Sequence, residues 1–204
     1  MTIDPASATP QDIYKLLIGA VVPRPIAFVS SVSADGVLNL APFSFFTVAS
    51  ANPPVIAFVP LVPGSAGRLK DTLLNVREQG EFVVNVVSEE FAAQMNACSG
   101  DYPPEVNEFD ISGLTPVASD LVVPPRVAES KIQMECRLLQ VVEVSNRPLG
   151  GSIVLGEVVR LHVADTIVND FRIDPAALRA IGRMGGPAYT RTGDLFHMER
   201  PAVR

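Results

Sequence analysis

The chain has 204 residues, which is enough for one domain with a sizeable core, and two domains would be cramped. Hydrophobic residues make up 48% and charged residues 19%, so the composition predicts a packed globular protein and argues against a disordered chain. The net charge of −6 argues against nucleic acid as a partner, because binding a phosphate backbone requires a basic surface. We therefore expect a single domain over residues 1–204.

Two cysteines and two scattered histidines do not make a convincing zinc site, so no metal is expected. Cys98 and Cys136 allow one disulfide, but reduced thiols fit better, because the polar N-terminus does not resemble a signal peptide. No apolar run approaches the roughly 20 residues that a membrane-spanning helix needs. The sequence thus predicts a soluble, cytoplasmic protein that does not bind membranes.

The first half of the chain predicts three short helices. Residues 11–18 form the first, and residues 70–79 form the second, which Gly80 is placed to end. Ser88 is placed to cap the third, over residues 89–98, whose acidic first turn suits the helix dipole.

Apolar segments between these helices predict strands. Residues 25–48 are interpreted as strands that break at Asp35-Gly36, a dipeptide typical of tight hairpin turns. Residues 53–60 form a strand bracketed by prolines, and residues 81–87 form another.

Two long strands are predicted in the second half, after a proline-rich excursion over the surface at residues 100–130. In residues 131–144, alternation predicts a buried face made of Ile132, Met134, Cys136, Leu138, Val142 and Val144. The opposite, polar face consists of Gln133, Glu135, Arg137 and Glu143. In residues 151–163, the buried face consists of Ile153, Leu155, Val159, Leu161 and Val163. Glu157 is the one charged residue on that face, and His162 is expected to be solvated.

The end of the chain predicts little regular structure. Asp174-Pro175 begins a short helix, and residues 182–201 are interpreted as loop. Many strands with few inserted helices exclude the regular alternation of a doubly wound sheet. A closed or nearly closed antiparallel barrel is the most economical arrangement, so the predicted fold class is mainly β.

Residues 39–47 combine aromatic rings, small hydroxyls and a proline. Such a mixture suits a flat, apolar ligand with polar edges, and Pro42 would free backbone groups by removing a donor from the sheet. Taken alone, the stretch is better explained as an aromatic core strand with a bulge.

Two further stretches are weak signals by themselves. Residues 64–75 place small residues before Lys70, Asp71 and Thr72 at a predicted helix start, which favours a phosphate site but fits an ordinary capped helix equally well. Residues 183–189 contain Arg183, two glycines and Tyr189, and a flexible tail explains them without a ligand.

In order, these motifs resemble the flavin reductase-like, FMN-binding split-barrel family, which includes flavoredoxin-like proteins. The pattern comprises RPIAFVSSVSADGVLNLAPFSFFTVASANPPVIAF, KDTLLNV, GEFVVNVV, NEFDISGL, PPRVAESKIQMEC, VLGEVVRLHV, RMGGPAYTR and FHMERP. It covers roughly residues 12–201. Each motif is unspecific by itself, but their order is specific.

The resemblance implies a six-stranded, Greek-key-like split barrel that forms a homodimer and binds one FMN per subunit near the interface, with FAD as the alternative. It implies that the flavin contacts Ser30, Ser31, Asn39, Ala41, Pro42, Phe43, Ser44, Thr47, Lys70, Asp71, Thr72, Arg183, Gly185 and Tyr189. In this set the residues of the KDT motif lie against the phosphate. The loop of residues 183–189 approaches the flavin of either subunit.

The activity that the resemblance implies is that of an FMN-dependent oxidoreductase, an NAD(P)H:flavin reductase. NADH or NADPH would deliver hydride to the flavin, which would pass electrons to an acceptor or to a partner monooxygenase. No catalytic acid or base is expected, since the cofactor carries the chemistry. Two alternatives are a flavin-binding electron carrier or sensor without nicotinamide turnover, and a barrel that has lost its cofactor.

Overall fold

The computed structural model describes residues 1–64 and 68–202. Its strands are β1 (Ala27–Val32), β2 (Leu38–Phe43), β3 (Phe46–Ala51), β4 (Pro54–Phe58), β5 (Glu81–Val86), β6 (Pro116–Val117), β7 (Arg126–Val127), β8 (Ile132–Glu143), β9 (Ser152–Val163), β10 (Val168–Asn169), β11 (Arg172–Ile173), β12 (Ile181–Arg183) and β13 (Tyr189–Arg191). Its α-helices are α1 (Pro10–Ala20), α2 (Asp71–Gln79), α3 (Ala92–Ala97), α4 (Glu108–Ser112) and α5 (Pro175–Leu178).

One antiparallel sheet dominates the described residues, with seven strands in the order β2-β1-β5-β8-β9-β4-β3. The two edge strands, β2 and β3, are separated in the chain only by Ser44 and Phe45, so the sheet curls until its edges meet at this corner. The resemblance implies six strands. The structure has one more because the run that begins at Leu38 breaks at Ser44 and continues as β3, paired with the opposite edge.

The curled sheet surrounds one apolar cluster, and helices cover a second cluster on its outer face. The inner cluster consists of Ala27, Val29, Phe43, Ile56, Phe58, Leu73, Val76, Phe82, Val84, Cys136 and Val154. The outer cluster includes Phe28, Leu40, Phe91, Met95, Cys98 and Phe109. Successive residues of β1 point to opposite clusters, which explains why the whole strand is buried. Because α2 contributes Leu73 and Val76 to the inner cluster, its position is fixed against the barrel.

Most of the predicted elements in the first half are confirmed. β1 and β2 form the predicted hairpin, and Gly36 in its turn has a φ of 83°. Gly80 ends α2 in the left-handed conformation, with a φ of 72°. The third helix begins with a 3-10 turn, and the Ser88 hydroxyl donates to the Glu90 carboxylate (3.1 Å) instead of capping a backbone amide.

The predicted buried face of β8 is confirmed for Ile132, Met134, Cys136 and Leu138 and is wrong for Val142 and Val144, and the predicted buried face of β9 is wrong. The irregularity at Leu138/Gln140 places Leu139 as an extra residue in β8, so the faces of β8 are exchanged after it. Val144, predicted to be buried, is therefore 66% exposed. The irregularity at Glu135/Cys136 places its extra residue, Val159, in β9 and shifts the faces of that strand. In β9 the residue that packs in the inner cluster is Val154, which was not predicted to be buried. Leu161, which was predicted to be buried, is 55% exposed.

Glu135 is fully buried, although the alternation predicts it on a polar, solvent-facing side of the strand. Its carboxylate accepts hydrogen bonds from the amides of Asp120 (2.8 Å) and Leu121 (2.6 Å), and it meets His162 Nε2 at 2.6 Å. Burial alone would raise the pKa of Glu135, but these partners outweigh it and hold the pKa below its ordinary value. His162 is therefore a structural partner, and the prediction that it is solvated is wrong.

Two segments predicted as loops contribute to the structure. The 100–130 excursion contains α4, and its Phe109 and Val127 are buried in the outer cluster. Residues 181–191 form the β12–β13 hairpin instead of an irregular tail. Within the described parts of the chain, no helix is both long and apolar enough to cross a membrane.

Candidate functional site

A cleft of about 210 Å³ lies where the edge of β2 faces the start of α2. The loop that precedes α4 forms its third wall. The cleft is lined by Tyr14, Asn39, Ala41, Pro42, Phe43, Ser44, Phe45, Val59, Leu61, Lys70, Asp71, Thr72, Cys98, Ser99, Gly100, Asp101, Tyr102 and Glu108. The structure thus brings together two stretches that are about thirty residues apart in the sequence, 39–44 and 70–72.

The outer edge of β2 forms one side of this cleft. The Leu40 amide donates to Glu108 Oε2 (2.9 Å), so it points away from β1. Strand alternation places the carbonyl of Pro42 on the same outer edge. Because Pro42 has no amide to donate, it suits an edge strand and leaves this part of the edge with acceptors only.

A buried hydrogen-bond network forms the floor of the cleft. Asn39 Nδ2 donates to Glu108 Oε1 (2.9 Å), and Asn39 Oδ1 accepts from Thr72 Oγ1 (2.7 Å) and Ser31 Oγ (3.2 Å). The Ser31 hydroxyl in turn accepts from Asn75 Nδ2 (3.1 Å). The amide group of Asn39 is thus engaged by the protein itself, and the network holds β2, α2 and α4 at fixed separations.

Glu108 is the buried acid of this floor, only 6% exposed. Burial raises its pKa above the ordinary value, although the hydrogen bonds from Leu40 and Asn39 act in the opposite direction. Cys98 lies beneath the same wall, and burial raises the pKa of its thiol to about 11. Its thiol is therefore protonated and unreactive near neutral pH.

The start of α2 forms the polar end of the cleft. Lys70 is the N-cap residue, and the first intrahelical bond runs from the Leu73 amide to the Lys70 carbonyl (2.9 Å). The amides of Asp71 and Thr72 precede this bond, so they have no partner within the helix. They add to the positive end of the helix dipole, and the result is an environment that suits an anion.

Both charged residues at the start of α2, Lys70 and Asp71, form ion pairs. Lys70 Nζ lies 3.0 Å from Asp101 Oδ1, and Asp71 meets Arg68 at 2.6 Å. Thr72 is 1% exposed, so its hydroxyl serves the floor network. Residues 65–67 of the predicted phosphate stretch lie outside the described residues.

Ser44 marks the opposite end of the cleft. Its hydroxyl oxygen accepts a hydrogen bond from Arg24 Nε (3.3 Å), and the Arg24 guanidinium lies 5.9 Å from the centre of the Phe45 ring. Arg24 also donates to the carbonyl of Met184 (2.9 Å), which ties the cleft to the turn between β12 and β13.

The predicted residues of the late loop lie outside the cleft lining. The Arg183 guanidinium stacks 4.4 Å from the centre of the Tyr189 ring, and the Tyr189 hydroxyl donates to Asn96 Oδ1 (3.0 Å). A Cβ on Gly185 would lie 3.4 Å from the Cα of Gly19, so this loop packs against the end of α1.

Three other predicted residues also lie away from the cleft. The fully buried Ser30 donates its hydroxyl to the Pro125 carbonyl. Ser31 lies beneath the floor network, and Thr47 is exposed on β3 with its hydroxyl directed to the Val48 carbonyl (3.4 Å). None of the three presents its hydroxyl to the cleft of this chain.

Sequence reasoning missed several residues of the lining and its support, namely Tyr14, Asp101, Tyr102, Glu108 and Arg24. Glu108 and Arg24 do lie within motifs that carry the resemblance, NEFDISGL and RPIAFVSS. For Arg24 the available signal was a charged residue just before an apolar strand, and for Glu108 it was an acid at the start of a short apolar motif.

Residues 19–174 match the family model of the flavin reductase like domain, and the chain therefore belongs to the flavin reductase-like family. An uncharacterized protein of Halalkalibacterium halodurans is 42% identical over 207 residues, which cover 100% of this chain and 98% of that protein. An uncharacterized protein of Aquifex aeolicus is 43% identical over 180 residues, which cover 88% of this chain and 89% of that protein.

Solved structures agree with this assignment. Component B of the nitrilotriacetate monooxygenase from Bacillus cereus is 38% identical with a TM-score of 0.92, covering 97% of this chain and 98% of that chain. The 2-nitrobenzoate 2-nitroreductase NbaA of Pseudomonas fluorescens is 31% identical with a TM-score of 0.87, covering 98% and 96%. A protein of Shewanella frigidimarina with a split barrel domain is 20% identical with a TM-score of 0.83, covering 98% and 100%, and it supports the split-barrel fold.

Proposed function

We propose that this protein is an FMN-dependent oxidoreductase of the NAD(P)H:flavin reductase type. The observation that carries the proposal is the cleft itself, in which the outer edge of β2 and the amide-bearing start of α2 face one another. A flat ring with polar edges fits beside the strand, and an anionic tail fits at the helix start.

The residues of the cleft suit a flavin mononucleotide. Lys70 and the amides of Asp71 and Thr72 would hold the phosphate, since they combine a cation with free donors. Ala41, Pro42 and Phe43 would form the wall along the ring. Ser44 would supply a hydroxyl at the ring edge. We propose FMN because the described residues offer one anion site beside this cleft, at the start of α2, and FAD is the alternative that the mass of a released flavin would reveal.

A bound flavin would supply the redox chemistry by accepting hydride from NADH or NADPH. The chain's own residues then have three tasks: to bind the phosphate, to orient the ring and to exclude water from one of its faces. Since hydride transfer to the ring needs no acid or base from the protein, we assign no catalytic residue. Glu108 faces the cleft but is committed to Leu40 and Asn39.

We further propose that the protein acts as a homodimer. The cleft is about 210 Å³, smaller than the roughly 300–1,000 Å³ typical of pockets that enclose a ligand, so one chain offers only part of a site. Exposed apolar side chains on β8 and β9, Leu139, Val142 and Leu161, offer a surface for a second copy. The late loop and Thr47 would then serve the flavin of the partner.

The relatives support two destinations for the electrons. One relative is a component of a monooxygenase, so the acceptor would be a partner monooxygenase. The other is a nitroreductase, so the acceptor would be a small aromatic molecule. We propose the first, transfer of reduced flavin or its electrons to a partner monooxygenase, because that relative has the higher identity. A cytoplasmic location is proposed as well, since both cysteines are free and buried.

Steady-state oxidation of NADH and of NADPH, each with added FMN or FAD, tests the proposal. We expect turnover with one of the two donors that depends on added flavin. Flavin binding without turnover by either donor would instead support an electron carrier or sensor. A protein that binds no flavin would contradict the proposal.

A further inference from the structure

Arg24, between α1 and β1, is a buried arginine that donates hydrogen bonds only to neutral groups. It is 5% exposed. Its guanidinium donates to the carbonyls of Ile18, Val21 (2.8 Å) and Met184 (2.9 Å) and to the hydroxyl of Ser44 (3.3 Å). Four of the five N–H groups of the guanidinium thus donate, yet none of their acceptors carries a charge.

No carboxylate compensates this charge within the described residues, since none of their ion pairs includes Arg24. Its backbone pairs with that of Arg183 (2.9 and 2.8 Å), so the neighbouring strand adds a second cation. Burial lowers the pKa of Arg24, Tyr14 opposes this, and Arg183 adds to it. The guanidinium still remains protonated, because arginine does not lose its proton in proteins.

A buried charge without a partner is costly, so its position calls for an explanation. The direction of the Ser44 hydrogen bond supplies one. Arg24 Nε–H occupies a lone pair of Ser44 Oγ, which leaves the hydroxyl proton of Ser44 free to donate elsewhere. Ser44 lines the cleft, and a donor with a cation behind it is strengthened toward an anionic acceptor.

We propose that Arg24 is a positioning residue that aims the Ser44 hydroxyl into the cleft and makes the cleft favour the reduced, negatively charged flavin over the oxidised one. This inference rests on the proposed function. Hydride transfer from a nicotinamide adds two electrons and one proton to the neutral oxidised ring and oxidises the nicotinamide. The ring thereby gains one negative charge, which is the charge that Arg24 and Ser44 would stabilise.

The quantity to measure is the ratio of the dissociation constants for oxidised and reduced FMN. It follows from fluorescence titration of oxidised FMN and from the midpoint potential of bound FMN in anaerobic dye equilibration. Arg24→Met should lower this ratio about tenfold, the loss expected for one charge-assisted contact. For a two-electron couple this is a shift of the potential by about −30 mV.

Two variants separate charge from hydrogen bonding. Arg24→Lys keeps the cation and should keep the ratio within about twofold of the wild type, whereas Ser44→Ala removes the donor and should lower the ratio by about fivefold. Arg172→Met on β11 is the matched control, because it removes a cation away from the cleft, and it should leave the ratio unchanged. Circular dichroism and thermal unfolding establish that each variant is folded.

The outcomes distinguish this inference from the proposed function. Wild-type protein that binds neither form of FMN would overturn the proposed function and this inference with it. Wild-type protein that binds FMN, together with an unchanged ratio in Arg24→Met, would overturn the role of Arg24 alone. Should Arg24→Met not fold, Ser44→Ala decides: equal losses of affinity for oxidised and reduced FMN would overturn the inference.

Discussion

The charged residues around the cleft explain how the start of α2 can accept an anion although acidic residues surround it. Lys70 is paired with Asp101, whose side chain is 80% exposed, and exposed pairs contribute only about 0–1 kcal/mol. A phosphate could therefore displace Asp101 at little cost. Asp71 is held by Arg68, which compensates its charge at the helix start.

Glu108 gives this part of the molecule a pH dependence of known sign. Because burial raises its pKa above the ordinary 4.5, the folded protein binds this proton more tightly than the unfolded chain. The stability it contributes is present below about 4.5 and is lost as the pH rises through the higher folded value. Glu108→Gln should therefore gain stability relative to the wild type on going from pH 4 to pH 8, as measured by urea unfolding.

Glu105→Gln, an exposed acid on the preceding loop, is the control for loss of one charge. The comparison uses the difference between variant and wild type at each pH, so the other titrating groups cancel. If that difference for Glu108→Gln were the same at both pH values, or smaller at pH 8, the environment assigned to Glu108 would be wrong.

At the scale of elements, close contact inside the curled sheet positions its central strands. The Phe82 ring of β5 lies directly against Gly156 of β9, where a Cβ would be 2.3 Å from the ring carbon Cζ. Phe82 also meets Phe58 edge-on, with ring centres 5.3 Å apart. Glycine at 156 therefore lets β4, β5 and β9 pack around the same ring.

Gly156→Ala should destabilise the protein by about 1–3 kcal/mol, the usual cost of overpacking a core. Chemical unfolding measures the loss. Gly193→Ala is the control, because a Cβ there meets nothing within 4 Å. Equal stability of the two variants would show that Phe82 does not occupy this position.

Element types could be predicted from the sequence where the signal is local. The Asp35-Gly36 hairpin and the end of α2 at Gly80 depend on backbone conformations that glycine permits, and both are confirmed. The faces of β8 after Leu139 could not be predicted, because a bulge has no local signal in the sequence and exchanges the faces of the residues that follow it. The burial of Glu135 was missed for another reason: it depends on the amides of Asp120 and Leu121, in a segment interpreted as a surface excursion.

For the candidate site, too, local sequence signals were predictive and long-range contacts were not. Residues 39–47 and 64–75 were singled out by local composition, and the structure brings Asn39, residues 41–45 and residues 70–72 to one cleft. Glu108 and Asp101 come from a segment interpreted as a surface excursion, and their approach depends on how α3 and α4 pack on the sheet. A short sequence motif does not predict long-range packing of that kind.

At the scale of the whole molecule, the exposed apolar face of β8 and β9 is the feature that a single chain does not explain. Leu139 is 52% and Leu161 55% exposed, although both lie within the two long paired strands. Burial of such a face against a second copy would account for this pattern.

Leu161→Glu should therefore shift the protein from dimer toward monomer, because it places a charge in the proposed interface. Light scattering after size-exclusion chromatography measures the mass. Val48→Glu, a similarly exposed apolar residue on β3, is the comparison that shows whether any surface charge has this effect. A monomeric wild-type protein would contradict the proposed dimer directly.

The central claim is that a flavin phosphate binds where α2 begins beside the edge of β2. Fluorescence titration of FMN against Lys70→Ala tests it most directly, with Lys15→Ala on α1 as the matched control. We expect Lys70→Ala to lose about 1.5–3 kcal/mol of binding free energy, a weakening of about 10- to 150-fold, with the fold intact. The control should bind FMN like the wild type. Equal affinity of Lys70→Ala, Lys15→Ala and wild-type protein for FMN would contradict the claim.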